Sequence, residues 1–358
     1  MIADSPPVRV LVVDDSAFMR TALAQMIGSE PGFQVVGTAS SGANALEKIA
    51  SLDPDVVTLD IDMPGLDGLG ALRRIMHECP RPVIMVSAIS EKEKEATFNA
   101  LYAGAFDYVP KQLSPDSLEI SHIRSDLIAK LRAAADSRHP LVRHSDRKPP
   151  KSSKPDSSAL SPTTPAIVAI GTSTGGPRAL QQILPRFPAD FPVPILIVQH
   201  MPPGFTATLA RRLDSASSIS VREAVHHESI YPGTAYIAPA GLHMRVECRM
   251  RAKARISLDP NPEQSLHIPS VDVLFKSVAH EYENRAVGVI MTGMGSDGCE
   301  GMQAIWLQGG LTIGQDESTC AVYSMPRACA QAGILSRIVP LSAIPALITQ
   351  AVRRRKHA

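Results

Sequence analysis

The sequence has few cysteines, almost no net charge and no long apolar run, and each lack narrows what the chain can be. Its five cysteines in 358 residues (Cys79, Cys248, Cys299, Cys320 and Cys329) are odd in number and contain no CxxC pair. This argues against a disulfide framework or a zinc site and predicts reduced thiols in a cytoplasmic protein. A formal net charge of +1 gives no reason to expect nucleic acid or an anionic membrane as the main partner. No segment approaches the ~20 apolar residues of a membrane span, and the first residues show no basic-then-apolar leader pattern. Direct membrane insertion is therefore not expected.

What is present describes a globular chain: 44% hydrophobic and 20% charged residues, enough to bury full cores. At roughly 150 residues per domain, two domains are expected. Strand-like runs at Val8–Val13, Phe33–Gly37, Asp55–Leu59, Pro82–Val86 and Phe106–Val109 alternate with helical patterns, the last at Leu118–Ala134. That alternation predicts a doubly wound domain with a five-stranded parallel sheet over residues 1–135. Residues 136–165 are rich in Pro, Ser and Lys and nearly devoid of apolar side chains, so a flexible linker is expected. Residues 166–358 resume the alternation and predict a second parallel-sheet α/β domain. Four short runs (Ile219–Val225, Thr234–Ala238, Met244–Arg249, Ala254–Leu258) predict a small antiparallel insert within it. The basic end, Arg353 to His357, reads as a helix terminus favoured by the dipole, not as a nucleic-acid patch.

The most informative segment is Ala166–Pro177. An apolar strand pattern runs into a glycine-framed turn carrying Ser173, and Pro177 then opens a helical pattern. A hydroxyl on a tight strand-to-helix turn is exposed for attack, near free backbone N–H groups that stabilise an anion. A plain phosphate cradle fits the segment equally well. Two further segments tip the balance. Pro194–His200 is a buried-strand pattern ending in His200, and Ala286–Gly298 is another strand pattern leading to a glycine-rich turn with Asp297. In an open α/β sheet the carboxyl ends of strands share one rim. There Ser173, His200 and Asp297 supply a nucleophile, a base and a carboxylate that orients the base, with the N–H of Thr174 as an expected oxyanion donor. Cys299 is a rival nucleophile, but its expected place is the core side of a helix's first turn.

The first domain carries its own constellation. Asp14 and Asp15 end the first strand and Asp60 the third, so in the order 2-1-3-4-5 three carboxylates converge. Hard divalent ions neutralise such a cluster. Ser87 and Lys111, past the fourth and fifth strands, suit a phosphoryl group on Asp60. With Asp60–Gly68 and Tyr108–Lys111, these positions resemble the response-regulator receiver family over about residues 8–130. The resemblance implies phosphorylation at Asp60 and Mg²⁺ bound by Asp15, Asp60 and the backbone carbonyl of Asp62, with Asp14 acting mainly through water. Ser87 and Lys111 would contact the phosphoryl group, and Tyr108 would be the switch aromatic. The usual proline after the lysine is missing here.

In the second domain, Gly171–Gly176, Gln199–Phe205 and Thr292–Gly298 resemble the chemotaxis methylesterase family known as CheB. The resemblance implies hydrolysis of glutamate methyl esters on methyl-accepting chemoreceptors, often with deamidation of receptor glutamines, and phosphorylation by the chemotaxis histidine kinase. It also implies Ser173, His200 and Asp297 as catalytic residues, Met294 as a second oxyanion donor, no cofactor for the esterase, and an unphosphorylated receiver that inhibits it. Two other readings compete. A receiver-controlled DNA-binding regulator predicts a compact output domain of roughly 65–110 residues with a recognition helix. A phosphate- or nucleotide-binding domain on Gly171–Gly176 leaves His200 and Asp297 unexplained and lacks the acidic ribose ligand.

Overall fold

The structure is a computed structural model that describes residues 6–87, 90–111, 117–143, 164–247, 254–261 and 267–353. It divides into two compact units, Met1–Pro150 and Lys151–Ala358.

In the first unit, β1 (Val8–Val13), α1 (Ala17–Gly28), β2 (Phe33–Ala39), α2 (Gly42–Leu52), β3 (Val56–Asp60), α3 (Gly68–Glu78), β4 (Val83–Ser87), α4 (Glu91–Ala103), β5 (Asp107–Pro110) and α5 (Ser117–Arg143) follow one another. The five strands form a parallel sheet in the order β2-β1-β3-β4-β5. Every residue of β3 and β4 is buried, as continuous apolar strands covered on both faces must be. The helices begin where short polar side chains can take up free N–H groups. Ser16, Ser41 and Asp67 cap α1, α2 and α3, and Ser90 forms a capping box with Glu93 at α4. The expected sheet is therefore present, with strand bounds within two residues of those predicted. Helix α5 continues to Arg143, into the stretch expected to be a linker; residues 144–163 of that stretch lie outside the described residues.

The second unit opens with β6 (Ile167–Thr172), α6 (Gly176–Ile183), β7 (Ile195–Gln199), α7 (Thr206–Ala216), β8 (Ser220–Glu223) and β9 (Thr234–Ile237). It continues through β10 (His243–Glu247), β11 (Arg255–Asp259), α8 (Val271–Tyr282), β12 (Ala286–Ile290), α9 (Cys299–Leu307), β13 (Leu311–Gln315), α10 (Ser324–Gln331), β14 (Arg337–Val339) and α11 (Ile344–Arg353). Seven strands form one parallel sheet, β14-β13-β12-β6-β7-β9-β8. Among the described residues β10 and β11 pair antiparallel, with His243 opposite Asp259, and an isolated antiparallel bridge joins Ser229 to Arg255.

That corrects the extent of the insert. Two of the four short strands, β8 and β9, extend the main sheet in parallel register, Ala235 lying opposite Ile195. All four residues of β9 are buried, so they continue the apolar layer. Short runs between turns look alike in sequence whichever way their partner runs, so the pattern could not separate the two cases. The core beneath β6 and β12 gathers Leu196, Tyr236, Leu274, Phe275 and Met302. The second unit is thus a sheet domain, unlike the compact output domain of a DNA-binding regulator.

Candidate active site

Strand β6 is the point where the sheet reverses. From it the chain passes to β7 on one side and returns much later to β12 on the other. Loops at such a switch point splay apart and leave a crevice at the carboxyl rim. Ser173 follows β6, His200 follows β7 and Asp297 lies in the loop after β12, so all three border that crevice.

The Ser173 turn is anchored to the loop after β12. The Ser173 N–H donates to the carbonyl of Thr292 at 3.0 Å, and Thr172 Oγ1 donates to the same carbonyl at 2.8 Å. Thr292 Oγ1 in turn donates to the carbonyl of Thr174 at 2.9 Å, and its N–H donates to Gln315 Oε1. Gly175 adopts φ +77° to swing the chain into α6, a conformation that excludes most side chains, and a Cβ there would come within 2.6 Å of Ala321. Two N–H groups of the turn are already committed: Ser173 donates to Thr292, and Gly176 donates to the Ser173 carbonyl at 2.8 Å. A phosphate cradle would need those donors free.

His200 and Asp297 meet directly. His200 Nε2 lies 2.7 Å from Asp297 Oδ2, a pairing that puts the ring proton on Nε2 and leaves Nδ1 as the acceptor. Nδ1 is buried and has no hydrogen-bond partner among the described residues. Asp297 is held by three further donors: Ser270 Oγ at 2.8 Å, the Val271 N–H at 2.7 Å and the Asp272 N–H at 3.0 Å. The last two belong to the first turn of α8, so the carboxylate sits at a helix amino terminus. Burial works against its charge, but the hydrogen bond and charge of His200 and the two N–H groups hold its pKa below the usual carboxylate range. The His267 ring stacks on His200, centroids 4.2 Å apart. Among the described residues no hydrogen bond joins Ser173 Oγ to His200; the two loops are tied through the backbone, His200 N–H to Thr172 carbonyl at 3.1 Å.

Sequence reasoning missed the residues behind the triad, Ser270, Asp272 and Thr292. A signal for the first two existed, because Ser270 followed by Asp272 ahead of an apolar run is a helix-start pattern. Cys299, the rival nucleophile, opens α9 packed against the core, and burial raises its thiol above the usual pKa. Such a thiol is a poor nucleophile.

In the first unit, one oxygen from each of Asp14, Asp15 and Asp60 lies within 4.8 Å of the others, a hard-oxygen set compatible with Mg²⁺. Lys111 Nζ bridges Asp60 at 2.7 Å and Asp14 at 2.9 Å. Burial pushes the Asp60 carboxyl up to about 6 against the pull of Lys111. Burial also opposes the Lys111 charge, yet its bonds to Asp60 and Asp14 hold its pKa above the usual lysine value. Ser87 is buried and accepts from Thr97 Oγ1 at 3.2 Å. Tyr108 is buried in β5, and Lys130 donates to its carbonyl. Asp62 lies exposed just after β3.

Comparison with known proteins adds an independent line. Residues 168–348 match the CheB methylesterase family, and residues 10–122 match the response regulator receiver domain. A relative named protein-glutamate methylesterase/protein-glutamine glutaminase, from Symbiobacterium thermophilum, is 47% identical over 356 residues, 97% of each chain. One of the same name from Pyrococcus abyssi is 43% identical over 96% of this chain and 94% of its own. The crystal structure of the Thermotoga maritima CheB methylesterase catalytic domain superposes with a TM-score of 0.51 at 40% identity, covering 52% of this chain and 99% of that one.

Proposed function

The chain belongs to the CheB methylesterase family, and from that membership we propose that it is a phosphorylation-controlled serine esterase of chemotaxis adaptation. Its substrates are glutamate methyl esters on methyl-accepting chemoreceptors, which it hydrolyses to carboxylate and methanol, and receptor glutamines, which it deamidates. The observation that carries the reading is the His200–Asp297 contact of 2.7 Å at the rim where the Ser173 turn ends.

In this mechanism Ser173 Oγ attacks the ester carbonyl while His200 Nδ1 accepts its proton. Asp297 keeps the other ring proton on Nε2 and stabilises the imidazolium that forms. The oxyanion develops beside the N–H groups of Thr174 and Met294, neither of which donates to a protein acceptor among the described residues. His200 then returns the proton to the leaving methoxide, methanol departs, and water activated by the same nitrogen cleaves the acyl-enzyme. With a glutamine substrate ammonia leaves in place of methanol.

In the receiver unit, Asp60 is the proposed phosphoacceptor, with a chemotaxis histidine kinase as donor. Asp15, Asp60 and the carbonyl of Asp62 would hold Mg²⁺ directly and Asp14 through water; the bound ion neutralises charge on the phosphoryl group in transfer. Lys111 and Ser87 would move onto the new phosphoryl oxygens, and Tyr108 would follow. We assign the receiver to residues 1–135 and the esterase to 166–358, acting in the cytoplasm. The test is methanol release from methylated receptor, with and without a small-molecule phosphodonor. No release in either condition overturns the reading.

A further inference from the structure

Gln199 precedes His200, ends β7 and is 2% exposed. Its side-chain nitrogen donates twice, to the carbonyl of Ser173 at 2.9 Å and to the carbonyl of His200 at 2.9 Å. We propose that Gln199 is a positioning residue for the esterase reaction, one carboxamide –NH₂ clamping the backbones of nucleophile and base together. The inference rests on the assignment of Ser173 and His200 to those roles.

Three observations support it. First, the clamp joins two loops that rise from different strands, β6 and β7, at the residues whose side chains must exchange a proton. No hydrogen bond between Ser173 Oγ and His200 holds that register among the described residues, so the backbone frame has to. Reacting groups displaced by an ångström lose about 10²-fold in rate. Second, the neighbourhood is shaped around the carboxamide. A Cβ on Gly176 would stand 1.9 Å from Gln199 Oε1 and 2.6 Å from Thr172 Oγ1, so only glycine leaves the amide its place. Third, the carboxamide is used on its donor side alone. Its Oε1 is buried without a hydrogen-bond partner among the described residues, which is unfavourable. A methionine of similar length would remove that orphaned oxygen but would take the donors from the Ser173 and His200 carbonyls, so what the glutamine adds is the pair of donors to the nucleophile and base backbones.

The test uses the full-length chain. Gln199→Met keeps the volume and removes both donors. The expected result is a kcat lower by about 10- to 100-fold with KM within about twofold, with the chain still folded at the assay temperature although the His200 carbonyl loses its donor. Modification of Ser173 by a fluorophosphonate probe, which needs the same Ser–His register, slows by a similar factor. A kcat within about twofold of the parent overturns the proposal, as does a loss matched by the unfolded fraction. If Gln199→Met does not fold, Gln199→Leu, which also removes both donors and adds no charge, takes its place under the same criteria. Ser173→Ala separates the two readings: turnover surviving in that variant sinks the esterase assignment itself. An inactive Ser173→Ala beside a fully active Gln199→Met sinks only the clamp.

Discussion

Asp272 and Asp297 close each other's helices. Asp297 Oδ1 receives the N–H of Asp272 at the start of α8, and Asp272 Oδ1 receives the N–H of Gly301 at 2.7 Å in the first turn of α9, the helix that follows Asp297. The two carboxylates therefore brace one corner of the crevice from both sides. They do not share the load equally: His200 draws Asp297 toward the charged form, while burial and the charge of Asp297 push the Asp272 carboxyl up to about 6.

The division has a measurable sign. Because folded Asp272 holds its proton more tightly than an unfolded aspartate of pKa about 3.9, the stability that its protonated form contributes is present below about pH 4 and is lost as pH rises from there through about 6. Asp272→Asn does not titrate, so its melting temperature relative to the parent should improve between about pH 4 and about pH 6 and level off above about pH 7. Thermal unfolding across that range checks it; a constant difference would refute the assignment of the titration to Asp272.

Ser173→Ala should abolish ester hydrolysis with the fold intact, since it removes the attacking oxygen and little packing, and His200→Ala should be similarly severe. Asp297→Asn should also lose at least about 100-fold in kcat and lower the melting temperature. Asp297 accepts four hydrogen bonds, and an asparagine must turn its –NH₂ against one of those donors. Its acid limb lies low: the stability contributed by ionised Asp297 is complete above the ordinary carboxylate range and declines only as pH falls beneath it. Steady-state kinetics with calorimetry on each variant measures both effects.

Asp60→Asn should abolish labelling by a small-molecule phosphodonor with Mg²⁺ and leave basal esterase turnover unchanged, because Asp60 and Ser173 lie in different units. In the parent chain the carboxyl at about 6 must ionise before it binds the cation. Mg²⁺ affinity should therefore fall as pH drops from about 7.5 to about 5.5, protons competing for the same oxygens. Calorimetric titration at the two pH values gives the comparison, and equal affinities would rule out that competition.

Removal of residues 1 to about 160 should raise activity on a soluble ester above that of the unphosphorylated full chain, if the receiver restrains the esterase as the family resemblance implies. A truncated unit no faster than the full chain would mean that the receiver delivers the esterase to its receptor instead of inhibiting it.

Much of this was legible in the sequence because it is written in periodic patterns. Fully buried parallel strands such as Val56–Asp60 and Ile167–Thr172 read as continuous apolar runs, and their last residues mark the rim. The placement of β8 and β9 was not legible, since pairing direction depends on distant residues such as Ile195. Nor were the supports of the site. Thr292 acts through its backbone carbonyl and hydroxyl on the turn at Thr172–Thr174, more than a hundred positions away. Gln199 acts on Ser173 and Ser270 on Asp297 through hydrogen bonds whose partners only folding brings near. The lone polar group at the end of a strand looks the same in sequence whether it faces solvent or a catalytic loop.

The sheet order also separates chemistry from chain order. The three candidate catalytic residues lie beyond β12, β6 and β7, immediate neighbours in space though β12 is far along the chain. A circular permutant opened between β7 and β12 would read aspartate, serine, histidine from its new beginning, with the same atoms at the same rim. Serial arrangement is thus an accident of where the ribosome starts, and unrelated hydrolases whose triads run in other orders can be compared only through the geometry of the groups that react.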